Sequence, residues 1–248
     1  MKPEWKVAAL GGVGGALLAI AVVFAAANMG LLPVGGNAIR NYLLAHPDIV
    51  VAMVDKVQAA EAQQDAEAAT ARQKAVDKLG EKAFFDPRFA FITGPANAKR
   101  TLVEFFDYNC PYCRESAPAM MNFYAAHKND TRFAFIEFPI KGPQSTLAAR
   151  AALAARNQPD KYIAFHFALM GEVDFIDEST IEADARKTGL DWAKLQHDMK
   201  APGIDTAVAE SHALAEAAKI DATPAFIVNG KIREQAMDDA TLNQMAKS

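Results

Sequence analysis

The spacing of hydrophobic positions changes several times along the chain, and each spacing predicts a different structure. Residues 7–27 form an apolar run without a charged side chain, and as a helix this run would span about 31 Å, enough to cross a bilayer core. Residues 38–79 carry apolar side chains every three or four positions, with Pro47 at a helix start and Gly80 at a helix end. The pattern therefore predicts a membrane-spanning segment followed by a helical extension.

The rest of the chain has the pattern of an α/β domain. Apolar stretches at 101–107 and 132–138 predict core strands, and residues 111–127 between them predict a helix. Residues 145–214 then show helical periodicity in several pieces without a strand pattern. The chain finishes with a predicted β-hairpin, which has Asn229-Gly230 at a tight type I′ turn, and a further helix.

Composition and length limit the domain organisation and the partners. Hydrophobic residues make up 51% of the chain, enough to build a core, and 26 basic against 30 acidic residues argue against binding of nucleic acid through a basic surface. The 248 residues exceed a typical domain of about 150. We divide them into a membrane anchor or signal segment at 1–30, a linker and helical stalk at 31–82, and an α/β domain at 83–248 with a helical insert at about 142–218.

The charges beside the apolar run predict its orientation. Lys2 and Lys6 precede the run with a single acid, Glu4, so the positive flank should stay in the cytoplasm and the chain after it should be exported to the periplasm. A retained anchor at 7–27 is favoured, because the run is longer than the roughly 7–15 residues of a signal-peptide core. A cleaved signal peptide stays open, since residues 25–27 are a run of alanines.

Residues 37–82 suggest contact with a second copy of the chain. Their charges are interspersed, as on a solvated face, while an apolar stripe outside the main domain needs a partner surface. The stripe consists of Ile39, Leu43, Val50, Met53, Val57 and Ala60. Self-association through 37–82 is the favoured interpretation, and a solvated spacer or a helix packed on its own domain is the alternative.

The chain has two cysteines, and both lie in the motif Cys110-Pro111-Tyr112-Cys113. Two cysteines exclude a four-cysteine zinc ribbon, and the five histidines are scattered without ligand spacing, so redox chemistry is favoured over a metal site. Cys110 follows a predicted strand and opens a helix, where free amide groups and the helix dipole stabilise a thiolate. Cys110 is therefore the predicted nucleophile, Cys113 the resolving thiol, and the pair replaces any cofactor.

The motifs FFDYNCPYC and TPAFIVNG resemble those of the DsbA family of thioredoxin-fold disulfide oxidoreductases. The stretches FPIKGPQSTLAARAALAA and NYLLAHPDIV are similar to the exported, often oligomeric, ScsC-like members. The similarity covers about residues 37–248. It implies an α/β thioredoxin fold with an inserted helical domain, preceded here by the predicted membrane helix and the helical stalk.

The resemblance also implies roles for further residues. Glu104 matches the family's buried acid beside the cysteines, where desolvation would raise its pKa and let it move a proton to or from Cys113. Without the resemblance, a glutamate on the solvated face of an edge strand would be the more common arrangement. Thr223-Pro224 matches the family's cis-proline loop, which with Pro111 and Tyr112 would contact the client chain.

Three functions stay open at this stage. Tyr112 replaces the histidine of the strongly oxidising CPHC members, and a neutral phenol adds no positive charge near the thiolate, which favours a disulfide isomerase or reductase. The alternatives are a disulfide oxidase, and a membrane-tethered chaperone or copper-handling dithiol protein. The expected partners are unfolded or misoxidised exported proteins and a membrane redox protein, DsbB-like for an oxidase or DsbD-like for an isomerase.

Overall fold

The computed structural model describes residue 29 and residues 36–247. The apolar run at 7–27, predicted as a membrane anchor or signal, lies outside the described residues. Among the residues that are described, no helix is both long enough and apolar enough to span a bilayer. The chain divides into two units, residues 1–66 and residues 67–248.

Two helices occupy the predicted stalk. Helix α1 is Gly36–Ala45 and helix α2 is Pro47–Leu79, which continues into the second unit. The break falls before Pro47, as predicted, because a proline disfavours helical backbone in the residue that precedes it. Gly80 ends α2 with a φ of 73°, a left-handed conformation that glycine adopts without steric cost.

The first unit exposes many large apolar side chains of α1 and α2. Each of the following is at least 44% exposed: Ile39, Tyr42, Leu44, Val50, Val51, Met53, Val54 and Val57. Four of the six predicted stripe residues, Ile39, Val50, Met53 and Val57, are thus among the exposed large apolar side chains of the described residues.

A five-stranded mixed sheet in the order β1-β3-β2-β4-β5 forms the centre of the second unit. Its strands are β1 (Ala90–Thr93), β2 (Arg100–Phe106), β3 (Thr131–Glu137), β4 (Ala225–Val228) and β5 (Lys231–Arg233). Strands β2 and β3 are parallel, and the other neighbours are antiparallel. The hydrophobic pattern did not predict β1, which is a short edge strand of four residues.

Helix α3 (Pro111–His127) connects β2 to β3. Pro118 lies inside this helix without ending it. The aromatic residues predicted as core, Phe105, Phe106, Phe133, Phe135 and Phe138, are all buried. These strands therefore form the hydrophobic core, from which α3 emerges at the end of β2.

A set of helices separates β3 from β4, where the sequence predicted a helical insert. They are α4 (Pro143–Ala155), α5 (Pro159–Met170), α6 (Glu178–Lys187), α7 (Trp192–Asp198) and α8 (Pro202–Ala217). The hairpin between β4 and β5 turns at Asn229 and Gly230, whose φ angles of 49° and 79° agree with the predicted type I′ turn. Helix α9 (Asp239–Met245) follows the hairpin.

Candidate active site

The two cysteines lie at the start of α3. Cys110 is the N-cap residue with an extended backbone, and its carbonyl oxygen accepts hydrogen bonds of 3.1 Å from the amides of Cys113 and Arg114. Both cysteines are free thiols and both are buried. Because the first amides of a helix have no partner within the helix, they can stabilise a negative charge on the Cys110 sulfur.

The pKa values of the two thiols are shifted in opposite directions by their surroundings. A hydrogen bond from the Cys113 thiol is the main cause that lowers the pKa of Cys110 to about 5, and Thr223 and the amides of Cys113 and Tyr112 add to it. Burial raises the pKa of Cys113 well above its ordinary value. Tyr112 projects outward with 61% of its surface exposed. The acidity of Cys110 therefore comes from Cys113 and nearby donors, and the Tyr112 phenol does not contribute.

Glu104 is buried at the middle of β2 with 2% of its surface exposed. It lies opposite Phe135 of β3 and Phe226 of β4, so β2 is a central strand and the edge-strand alternative for Glu104 is wrong. Burial raises the pKa of this carboxyl to about 8, and its Oε2 atom has no hydrogen-bond partner among the described residues. Its charge also contributes to the raised pKa of Cys113.

The Thr223-Pro224 loop lies against the cysteines. The peptide bond between the two residues is cis, as the resemblance implied. In its protonated form the Cys110 sulfur donates a hydrogen bond of 3.1 Å to the Thr223 carbonyl oxygen. Residues more than a hundred positions apart in the sequence thus meet at one thiol.

Asp107 is a buried acid that was not among the predicted site residues. Its Oδ1 atom accepts from the Asn109 amide at 2.8 Å, and its Oδ2 atom accepts from the amides of Ile140 and Lys141 at 2.7 and 2.8 Å. One carboxylate thereby fixes the turn before Cys110 to the segment that follows β3. In the sequence, the signal for this role was the motif Asp107-Tyr108-Asn109 directly before Cys110.

Arg114 ties the active-site turn to the helical insert. It donates to the carbonyl oxygens of Tyr108, Val173 and Asp174 at 2.9, 2.8 and 2.7 Å, and to Asn109 Oδ1 at 3.2 Å. Val173 itself is 85% exposed. The arginine after CPYC is therefore a structural link that cysteine spacing alone does not indicate.

A second buried polar cluster lies between the sheet and α5. Glu137 accepts hydrogen bonds of 3.4 Å from the hydroxyls of Tyr108 and Tyr162, and the Tyr108 hydroxyl is 3.0 Å from His166 Nδ1. Burial raises the pKa of Glu137 and lowers that of His166 to about 3, so the imidazole is neutral. Contacts with Glu137 of β3 and His166 of α5 thus hold the side chain of Tyr108, which lies in the turn before Cys110.

A surface groove of about 470 Å³ begins at the active-site motif. Its lining includes Pro111, Pro118, Met121, Phe167 and Met170. Phe165, Met170 and Trp192 are buried, and Met170 lines the groove together with the partly buried Phe167. In the part of the chain that the structure describes, no group of three or more His, Cys, Asp and Glu side chains is placed to hold a metal ion.

Comparison with known proteins agrees with this geometry. A sequence model of the family described as Thioredoxin matches residues 86–247. A thioredoxin-like oxidoreductase from Silicibacter pomeroyi DSS-3 is 39% identical, with 68% of this chain and 96% of that chain covered and a TM-score of 0.62. Proteus mirabilis ScsC in a transitional conformation is 25% identical, with 85% and 93% covered and a TM-score of 0.63.

Two further proteins are similar to the chain, one of them named as periplasmic and the other much longer than this chain. A periplasmic thioredoxin-like protein from Salmonella enterica serovar Typhimurium is 29% identical, with 66% of this chain and 92% of that chain covered and a TM-score of 0.56. The Na(+)/H(+) antiporter NhaA of Herminiimonas arsenicoxydans is 28% identical over 163 residues, which are 66% of this chain and 26% of the antiporter. The chain thus spans about a quarter of the length of the curated relatives that it matches first. The family match shows that the chain belongs to the thioredoxin family, and its similarity to ScsC agrees with the resemblance found in the sequence.

Proposed function

We propose that the protein is a thiol–disulfide oxidoreductase that acts on the cysteines of exported proteins. The observation that carries this proposal is the pair of thiols with opposite pKa shifts at the start of α3. At neutral pH a reduced Cys110, with a pKa of about 5, is almost wholly thiolate and can attack a client disulfide, while Cys113 stays protonated until it is needed. The Cys110–Cys113 pair is the redox centre in this proposal, and no cofactor takes part.

The exchange proceeds in two balanced steps. The Cys110 thiolate bonds to one client sulfur and the second client sulfur leaves as a thiolate. Cys113 then loses its proton and attacks the Cys110 sulfur, which releases the first client sulfur and leaves a Cys110–Cys113 disulfide. Run in reverse, the same steps pass a disulfide to the client.

The surrounding residues have assigned roles in this proposal. Glu104, a buried carboxyl with a pKa of about 8 whose charge acts on Cys113, accepts or returns the Cys113 proton. Pro111 and Tyr112 are exposed between the buried thiols and form the surface that the client meets. Thr223 and Pro224 hold an extended client segment beside Cys110.

The acidity of Cys110 favours isomerase or reductase activity. A pKa of about 5 lies between the values of roughly 7 for thioredoxin and 3.5 for DsbA, and the more acidic the thiol, the more oxidising its disulfide tends to be. An intermediate value suits an enzyme that works in both directions on a wrongly paired client. A DsbD-like membrane donor would keep such an enzyme reduced, whereas the oxidase alternative needs a DsbB-like acceptor.

The direct test is an assay on one client in two starting states. The protein should restore activity to a scrambled multi-disulfide client faster than it oxidises the same client in reduced form, and Cys110→Ser should abolish both reactions because the nucleophile is lost. Faster oxidation of the reduced client would favour the oxidase alternative. Rescue of the client by the Cys110→Ser variant would contradict the proposed chemistry and favour a chaperone.

We further propose that the protein works in the periplasm, held at the membrane by residues 7–27. The positive charges before the apolar run support this orientation, and the Salmonella relative is itself named as periplasmic. An exported location also suits the chemistry, because disulfides persist in oxidising compartments.

Self-association of α1 and α2 is the proposed role of the exposed apolar side chains at 39–57. An exposed apolar face this extensive is stabilised when a second copy covers it. The wild-type protein should sediment as an oligomer, and the double change Val54→Lys with Val57→Lys should yield monomers. The matched control, Gln58→Lys with Gln64→Lys, adds two lysines on the same helix at exposed polar positions and should leave the oligomer intact. A wild-type monomer at micromolar concentration would contradict the proposal.

A further inference from the structure

An ion pair links the C-terminal part of α2 to the segment after β5. The guanidinium of Arg72 contacts the carboxylate of Glu234, and the two side chains are 15% and 7% exposed. Arg72 Nε also donates a hydrogen bond of 3.1 Å to the carbonyl oxygen of Lys219. Because both charges are largely removed from water, this pair is held more firmly than an ordinary surface ion pair.

Glu234 also binds the backbone directly before Thr223-Pro224. Its Oε1 atom accepts hydrogen bonds from the amides of Asp221 and Ala222 at 2.9 and 3.0 Å. These two residues come directly before Thr223, whose carbonyl oxygen accepts from the Cys110 sulfur. A continuous set of polar contacts therefore runs from α2 to the nucleophile.

Arg72 and Glu234 bind backbone groups in the part of the loop that follows α8. Residues 219–224 lie between α8 and β4, outside the sheet ladder, and Lys219 has a φ of 59° where it ends α8, with the amide of Ile220 bonded to the Ala215 carbonyl oxygen at 2.8 Å. Arg72 binds the carbonyl oxygen of Lys219, and Glu234 binds the amides of Asp221 and Ala222. The pair therefore holds the loop at one carbonyl group and two amide groups.

We propose that Arg72 and Glu234 are positioning residues that hold the Thr223-Pro224 loop in place for client binding. The inference rests on the proposed function, because it assumes that this loop receives the client segment. The pair touches neither thiol and acts through the loop alone. Its loss should therefore weaken exchange with a polypeptide, which needs the loop, and should spare exchange with a small disulfide, which does not.

The activity test compares a disulfide-bonded peptide with a small-molecule disulfide as substrates. Arg72→Gln and Glu234→Gln should each lower kcat/KM for the peptide about tenfold, mainly through KM, and change the small-molecule rate less than about twofold. Glu234→Ala should lower the peptide value further, because glutamine keeps the Oε1 acceptor for Asp221 and Ala222. The control Arg186→Gln removes an exposed ion pair with Glu182, away from the loop, and should change neither rate.

A second measurement does not depend on activity. Hydrogen exchange at the amides of Asp221 and Ala222 should quicken at least tenfold in Arg72→Gln and stay unchanged in Arg186→Gln. Unchanged exchange at these amides in Arg72→Gln would overturn the inference, as would an equal loss of activity toward both substrates. A wild-type protein inactive toward both substrates would contradict the proposed function instead, and amide exchange would still decide whether the pair positions the loop.

Discussion

Replacement of Cys113 by alanine should turn the protein into one that stays covalently attached to its clients. Cys110 keeps its nucleophilic position at the start of α3, so the first exchange step still occurs, but no thiol remains to release the client. We expect the mixed disulfide to accumulate at least a hundredfold over the wild type when the variant meets a disulfide-bonded client. Non-reducing electrophoresis with mass spectrometry would identify the bond to Cys110.

The controls for this experiment separate the two thiols. Cys110→Ser should form no adduct, since Cys113 is buried and its pKa is raised. Adducts of Cys110→Ser through Cys113 would show that the assigned order of attack is wrong. A wild-type level of adduct in Cys113→Ala would show that resolution does not depend on Cys113.

The same variant should also change the acidity of Cys110. The hydrogen bond from the Cys113 thiol is the largest cause of the lowered pKa, so its removal should raise the pKa of Cys110 from about 5 toward the ordinary value of 9.0. Thiolate absorbance followed against pH measures this shift. A pKa that stays near 5 in Cys113→Ala would assign the acidity to the helix amides and Thr223.

Local signals in the sequence predicted much of the fold. Pro47 marked the start of α2, Gly80 marked its end, and Asn229-Gly230 marked the hairpin turn, because each depends on the backbone preference of one or two residues. The strand before Cys110 and the helix after it followed from hydrophobic spacing. These features are fixed within a few residues of the chain and need no knowledge of tertiary contacts.

Contacts between distant segments could not be predicted from such local signals in the sequence. Arg72 and the Lys219 carbonyl that it binds are 147 positions apart, and Arg114 reaches the insert 59 and 60 positions away. Nothing in the local pattern of either residue indicates its partner. The edge strand β1 was missed for a related reason, since four residues carry too short a pattern to separate a strand from a loop.

The burial of Glu104 could not be decided from the sequence around it, whereas the structure decides it. The resemblance to the family suggested a buried acid, while general experience of glutamates in strands suggested a solvated edge. The pairing of β2 with β3 on one side and β4 on the other decides for burial. That pairing depends on a hairpin more than a hundred residues later, so no window of sequence around Glu104 contains it.

Replacement of Glu104 by glutamine should slow resolution of the mixed disulfide about a hundredfold. The Gln side chain keeps the shape of the buried group but cannot take the proton from Cys113, and general acid–base assistance of this kind contributes about 10²–10⁴-fold. Rapid mixing of the reduced protein with a disulfide peptide would separate the attack of Cys110 from release of the client. Attack should be nearly unchanged, and equal slowing of both steps would contradict the assigned role.

The same substitution should remove a pH dependence of stability. The pKa of Glu104 is about 8 in the folded protein against an ordinary value of 4.5, so between these pH values the folded chain holds one more proton than the unfolded chain. The free energy of unfolding should therefore fall by about 1.4 kcal/mol per pH unit as pH rises through this window, on the order of 5 kcal/mol in total. Glu104→Gln should lack this slope and be the more stable protein at pH 8, as denaturant unfolding at several pH values would show. Since Glu137 is buried in both proteins, the difference between their curves isolates Glu104, and parallel curves would mean that the Glu104 carboxyl ionises in the folded protein as readily as in water.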